Sequence, residues 1–251
     1  MCRHLAYLGP PVTVASLVLD PPHGLLRQSY APADMRGGGT INADGFGAGW
    51  YPSPGEEPAR YRSGSPIWAD PSFPVVAASA RSGAVLAAVR SATVGMPVSA
   101  EAAAPFMEGQ WLFSHNGVIR GWPGSVGALA SALPVADLLT LDAPTDAALL
   151  WALVRHRLRA GAEPADAVAG IVAAVEAVAP GSRLNLLLTD GAGIWATVWD
   201  HALSVRVTAD AVLVASEPVD PFPDWTAVPD RRLVVAEAGR CHTQPLTTGV
   251  P

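Results

Sequence analysis

A cysteine directly after the initiator methionine is the first residue able to do chemistry. Removal of Met1 makes Cys2 the N-terminus, and the small side chain at that position permits the removal. One residue then carries a thiol and a free α-amine. The amine has a reference pKa of roughly 7.7–8.0 and acts as a base near neutral pH. The thiol, with a reference pKa near ~8.5, is nucleophilic as the thiolate. Nucleophile and base therefore share one residue, as in enzymes built on an N-terminal threonine. Taken alone, Cys2 fits a small apolar residue at a chain end more readily.

Four further segments carry candidates. Asn42-Ala-Asp-Gly-Phe-Gly-Ala-Gly-Trp50 alternates Gly45, Gly47 and Gly49 along a strand. That pattern points to close approach of a backbone or ligand, although an ordinary turn at Asn42 or Asp44 also fits it. Arg90 ends an apolar run in Ala88-Val-Arg-Ser-Ala-Thr-Val-Gly95. Its planar fork suits a carboxylate, and Thr93 could add a hydroxyl; a strand-end arginine reaching solvent is the commoner case. Phe113-Ser-His-Asn-Gly-Val-Ile119 holds Asn116 and Gly117, whose amide and backbone N–H could converge on an oxyanion. Without context, Asn-Gly reads as a hairpin turn. Asp146 stands in the first turn of a helix, where it could bind an ammonium group or simply face the helix dipole.

In this order, these five features resemble the class II glutamine amidotransferases, a family of N-terminal-nucleophile hydrolases. The resemblance implies an α+β, four-layer α/β/β/α fold with Cys2 as nucleophile. It implies Arg90 and Thr93 as holders of a substrate α-carboxylate. Asn116 and Gly117 become the oxyanion donors, and Asp146 the holder of the α-amine. The family often has Ser-Asp-Thr-Glu where this chain has Thr145-Asp-Ala-Ala148, so Asp146 is the least complete match. No metal and no cofactor is implied.

Four more strings are similar to one branch of that family, the γ-glutamyl hydrolases of ergothioneine biosynthesis. They are Met1-Cys-Arg-His-Leu-Ala-Tyr-Leu-Gly-Pro10, Leu17-Val-Leu-Asp-Pro-Pro22, Gln28-Ser-Tyr-Ala-Pro32 and Trp68-Ala-Asp-Pro-Ser-Phe73. This narrower resemblance implies cleavage of γ-glutamyl-hercynylcysteine S-oxide through a Cys2 thioester. The substrate's trimethylammonium group favours aromatic faces and carboxylates. Tyr30, Trp50, Trp68 and Trp111 are candidate aromatics, with Asp44 or Glu108 as acids. Two other functions fit: a glutaminase subunit feeding ammonia to a separate synthase, and a non-catalytic binder of γ-glutamyl compounds. An intact reactive terminus argues against the second.

The elements that must position these residues are mostly strands. Short apolar or aromatic runs predict them at 46–51, 84–90, 111–114, 183–189, 194–199, 203–207, 211–216 and 232–236. Asp190-Gly191 predicts a hairpin turn between two of them. Helical spacing predicts helices over 144–159 and 164–178, and a weaker one over 12–19. Residues 36–40 and 52–58 read as loops, and 242–251 as a polar tail that frays. Strands in meandering groups with a helical block between them exclude a doubly wound parallel sheet. We expect one hydrolase domain over 2–251, with no obligatory synthase partner.

Composition narrows the classes. Of 251 residues half are hydrophobic, enough for a large core, and the net charge of −6 disfavours nucleic acid or an anionic membrane as partner. Two cysteines exclude a disulfide scaffold. The six histidines show no ligand spacing. Arg81 and Arg90 break the longest apolar stretch, and no export segment is visible, so a cytoplasmic enzyme with a small-molecule γ-glutamyl substrate is expected.

Overall fold

The computed structural model describes residues 2–34 and 41–247. The chain opens with β1 (Arg3–Thr13), α1 (Val14–Val18) and α2 (Leu25–Gln28). Then come β2 (Phe46–Trp50), β3 (Ala59–Ser63), α3 (Phe73–Ser79) and β4 (Arg81–Val89). β5 (Phe106–Glu108) and β6 (Trp111–Val118) lead into α4 (Gly127–Ser131), α5 (Val135–Leu139), α6 (Asp146–Arg159) and α7 (Pro164–Val178). The rest is strand: β7 (Arg183–Thr189), β8 (Ile194–Val198), β9 (Ser204–Val207), β10 (Val212–Ala215), β11 (Trp225–Ala227), β12 (Arg232–Glu237) and β13 (Arg240–Pro245).

These strands form two antiparallel sheets. One has the order β11-β9-β10-β1-β4-β2-β3, the other β13-β12-β8-β7-β6-β5. Side chains alternate between faces, and the alternation sorts them into three cores. On β1, Leu5 and Tyr7 pack with α1 to α3, whereas Ala6 and Leu8 point between the sheets. On β7, Leu186 and Leu188 pack with α6 and α7, whereas Leu187 joins Ala6 and Leu8. The result is four layers, α/β/β/α. Both faces of each sheet are covered, so central strands are apolar at successive positions instead of alternating with polar residues. The run Ala84-Val-Leu-Ala-Ala-Val89 is an example.

Each expected strand has a counterpart, with β4 starting earlier and β6 running to Val118. The Asp190-Gly191 turn joins β7 to β8, which pair antiparallel. The 12–19 helix is corrected: Val12 and Thr13 belong to β1, and α1 is shorter. Pro10 and Pro11 hid this strand, because proline cannot donate to a ladder. The pairing of β1 with β10 stops at Leu8, and its register with β4 shifts between Leu8 and Val12. That irregularity takes up the prolines. The expected fraying of the tail is also corrected in part, since β13 pairs with β12 through Pro245. The expected 36–40 loop lies outside the described residues. Among the described residues no helix is long and apolar enough to cross a membrane.

Candidate active site

Cys2 sits at the head of β1, and the Arg3↔Val89 pairing brings it against the end of β4. Arg90, the next residue of that chain, therefore comes beside the cysteine. From the other sheet β6 supplies Gly117, and the start of α6 supplies Asp146. These residues, with Thr93, Ser114 and His115, line one pocket around Cys2. Its free volume is about 30 Å³.

Each side chain is held by bonds that its position explains. The Cys2 thiol is half-buried and points toward the Ser91 carbonyl oxygen, 3.8 Å away. The buried Arg90 donates through Nη1 to the Pro97 and Asp44 carbonyls, at 2.8 and 3.3 Å. Asp44 in turn accepts from the Ala92 N–H at 2.8 Å, which fixes the turn carrying Thr93. Thr145 caps α6, accepting the Ala148 N–H at 3.2 Å. Asp146, one residue on, accepts the Ile119 N–H at 3.1 Å and the Ala147 N–H at 2.8 Å. Its carboxylate is thus locked beside the end of β6.

Asn116 and Gly117 are not a turn: both lie inside β6, opposite Asn185 and Leu184. Gly117 lines the pocket, but the fully buried Asn116 side chain does not. Its Nδ2 donates to Ser216 Oγ at 3.0 Å, and its Oδ1 has no hydrogen-bond partner. The alternating glycines of β2 do serve close approach. A Cβ on Gly47 would lie 2.5 Å from the Ala104 carbonyl oxygen, and one on Gly49 2.7 Å from Leu112 Cδ1.

The sequence did not reveal Arg3 and Glu217, although they hold the nucleophile in place. The buried Arg3 guanidinium donates to Glu217 Oε1 at 2.5 Å, to the Cys2 carbonyl at 2.9 Å and to the Asp34 carbonyl. Glu217 Oε2 accepts from His23 Nε2 at 2.8 Å and from the Ala33 N–H at 2.7 Å. Burial opposes ionisation of Glu217, yet these donors hold its pKa down at about 2. No local spacing could have signalled a pair 214 residues apart. His4, also buried, has its pKa lowered to about 3, first by desolvation and then by His201, His115 and Arg3. Its Nδ1 lies 3.2 Å from Ser114 Oγ.

None of the four candidate aromatics lines this pocket. Tyr30 and Trp68 stack edge to face on the surface, at 5.9 Å. Trp50 packs on the core beneath α1 to α3, and Trp111 against Trp195. Asp44 is committed to the Ala92 N–H, and Glu108 pairs with Arg155 and Arg159. All six thus lie outside the Cys2 pocket, engaged by packing, a ring contact, a hydrogen bond or ion pairs. Among the described residues no group of three or more His, Cys, Asp or Glu is placed to hold a metal ion.

Residues 26–209 match the family model described as glutamine amidotransferases class-II. The chain belongs to the class II glutamine amidotransferases. Within the family it is 44% identical over 247 residues to the gamma-glutamyl-hercynylcysteine sulfoxide hydrolase of Mycolicibacterium smegmatis, covering 98% of this chain and 100% of that one. It is 45% identical to the Mycobacterium tuberculosis protein of the same name, covering 93% and 92%. A class II glutamine amidotransferase domain protein from Silicibacter pomeroyi has the same fold, with a TM-score of 0.70 at 23% identity, covering 98% of this chain and all of that one. The four layers are the N-terminal-nucleophile form of that family.

Proposed function

We propose that this class II glutamine amidotransferase is an amidohydrolase that cleaves the γ-glutamyl amide of γ-glutamyl-hercynylcysteine S-oxide. The products are glutamate and hercynylcysteine S-oxide. The observation that carries the reading is the convergence of Cys2, Arg90, Thr93, Gly117 and Asp146 on one pocket. An amino-acid head needs a cation for its carboxylate and an anion for its amine, and Arg90 and Asp146 offer both.

In this reading Met1 is removed and the Cys2 α-amine takes the thiol proton. The thiolate attacks the γ-carbonyl. The Gly117 N–H holds the oxyanion, and the Asn116 amide, now buried against Ser216, joins it by turning into the pocket as the wall moves. The amine leaves with a proton from the Cys2 ammonium. Water then hydrolyses the γ-glutamyl thioester. The present free volume accommodates little more than water, so a glutamyl group enters only as the wall moves. The exposed 93–95 turn is the wall best able to do so. The reading treats 2–251 as one hydrolase domain, with no synthase, nucleic acid or membrane as partner. A catalytic thiol works best in a reducing compartment, which supports a cytoplasmic location.

The test is a turnover assay of Met-processed protein offered the S-oxide and glutamine side by side, with Cys2→Ala as control. Glutamate release from the S-oxide that depends on Cys2, with little from glutamine, is expected. Preference for glutamine would instead make the chain an ammonia-supplying subunit. Release independent of Cys2 would overturn the mechanism.

A further inference from the structure

Ser114 stands on β6 shortly before Asn116, and alternation puts the two side chains on one face of the strand. That face looks into the space between the sheets, because Ser114 pairs opposite Leu187, a residue of the core there. The Asn116 side chain runs to Ser216 and lies outside the Cys2 pocket, whereas the buried Ser114 is part of the pocket wall. Across the gap, His4 turns its Nδ1 to Ser114 Oγ at 3.2 Å. The backbone holds His4 still: its N–H donates to Ser216 Oγ at 3.0 Å, and its carbonyl accepts the Ser216 N–H at 2.9 Å.

The direction of the Ser114–His4 hydrogen bond follows from what each group lacks. His4 is neutral, since burial above all lowers its pKa to about 3, so one ring nitrogen carries a hydrogen and the other does not. Nε2 is buried without a partner among the described residues. A hydrogen there would be an orphaned donor, which proteins tolerate less than an orphaned acceptor. The hydrogen therefore sits on Nδ1 and is donated to Ser114 Oγ. The Ser114 hydroxyl keeps its own hydrogen to give, and no acceptor among the described residues takes it. The nearest open space is the Cys2 pocket.

We infer that Ser114 is a further catalytic residue, whose hydroxyl, oriented by His4, donates to the oxyanion that forms at the γ-carbonyl. The inference rests on the function proposed above and gives its oxyanion a side-chain donor that already lines the pocket. As the Cys2 sulfur bonds to the γ-carbon, the carbonyl π pair moves onto oxygen. Ser114 holds that charge by a hydrogen bond and does not surrender its hydrogen. The pair returns when the amine leaves with the proton of the Cys2 ammonium. At about 30 Å³ the pocket has room for little more than one oxygen-sized atom, so donors on its wall converge on the same place. A donor fixed beforehand needs no reorganisation as the charge develops, and the bond from His4 fixes this one.

The experiment follows Met-processed wild type, Ser114→Ala and Ser114→Cys in two reactions. One is glutamate release from γ-glutamyl-hercynylcysteine S-oxide. The other is alkylation of Cys2 by iodoacetamide, a displacement at carbon that forms no oxyanion, read on the N-terminal peptide. Ser114→Cys keeps nearly the same volume with a weak donor, and it decides the matter should the alanine variant not fold. In Ser114→Ala kcat is expected to fall by roughly 10²-fold with KM nearly unchanged, the mark of an interaction made only in the transition state. Ser114→Cys is expected to fall in the same direction. The alkylation rate is expected to stay close to that of wild type, because the thiolate itself is untouched. A kcat close to wild type overturns the inference. So does alkylation that slows in step with kcat, since Ser114 would then act on the nucleophile or on the shape of the site. A wild type that releases glutamate from glutamine but not from the S-oxide overturns the proposed function alone, and the same comparison on glutamine then decides the role of Ser114.

Discussion

A Cβ on Gly117 would lie 1.9 Å from the Arg183 carbonyl oxygen and 2.6 Å from His115 Nε2. The first of these is backbone of the neighbouring strand and cannot swing away. Gly117→Ala is therefore expected to cost about 3 kcal/mol or more of stability, as overpacking in a rigid place does, and to abolish turnover. Thermal unfolding beside the assay checks both. Asn116→Ala differs, because it removes atoms. Losing one oxyanion donor is expected to lower kcat by roughly 10²–10³ with a smaller change in KM. A kcat within a factor of about three of wild type would remove Asn116 from the mechanism. Cys2, Arg90, Gly117 and Asp146 were legible because each lies in a short string whose residue types already suggest a task. Arg3 and Glu217 were not legible. Their meaning comes from strands β1 and β10 lying side by side, which brings together two residues 214 apart in sequence.

At the scale of elements, α6 does two things at once. Its buried stripe, including Leu149, Leu150 and Val154, anchors it on the second sheet. Its first turn aims Asp146 at the end of β6. Thr145 connects the two tasks, since its side chain caps the helix one residue before the acid. Thr145→Ala is expected to destabilise the protein by about 1 kcal/mol, the usual loss for an N-cap. In a chain of this size that lowers Tm by about 2–4 °C. If the cap also positions Asp146, KM rises with little change in kcat; a Tm shift without a KM change would confine Thr145 to stability. Both long helices were legible from their spacing, and α7 was read to its ends. β1 was not, because Gly9-Pro-Pro11 reads as a break. Only the register shift opposite Ser82 lets a central strand hold them. β13 was missed for a different reason: its side chains are almost all exposed, so it has no apolar pattern, and backbone pairing alone makes it a strand.

At the scale of the whole molecule, the junction of the two sheets near Cys2 holds polar groups in a dry place. This arrangement makes the fold sensitive to acid. His4 has its pKa lowered from 6.5 to about 3, foremost by burial, so the folded state refuses a proton that the unfolded chain accepts. Stability from this source is complete above pH 6.5 and falls as pH drops toward 3. The loss amounts to about 2 kcal/mol by pH 5. Glu217 acts in the same direction but later. Its pKa is held at about 2 against an ordinary 4.5, so its contribution is present above pH 4.5 and disappears as pH falls from there toward 2. Acid unfolding should therefore begin with the histidine and steepen with the carboxylate. Urea unfolding across pH 7.5 to 5 measures the first stage. His4→Gln, which cannot titrate, is expected to flatten the slope by close to one proton below about pH 6 relative to wild type, and little at pH 7.5, even where its stability at pH 7.5 is lower. An unchanged slope would show that another group takes up the proton, and that His4 is held by its neighbours in a state other than the neutral one its burial requires.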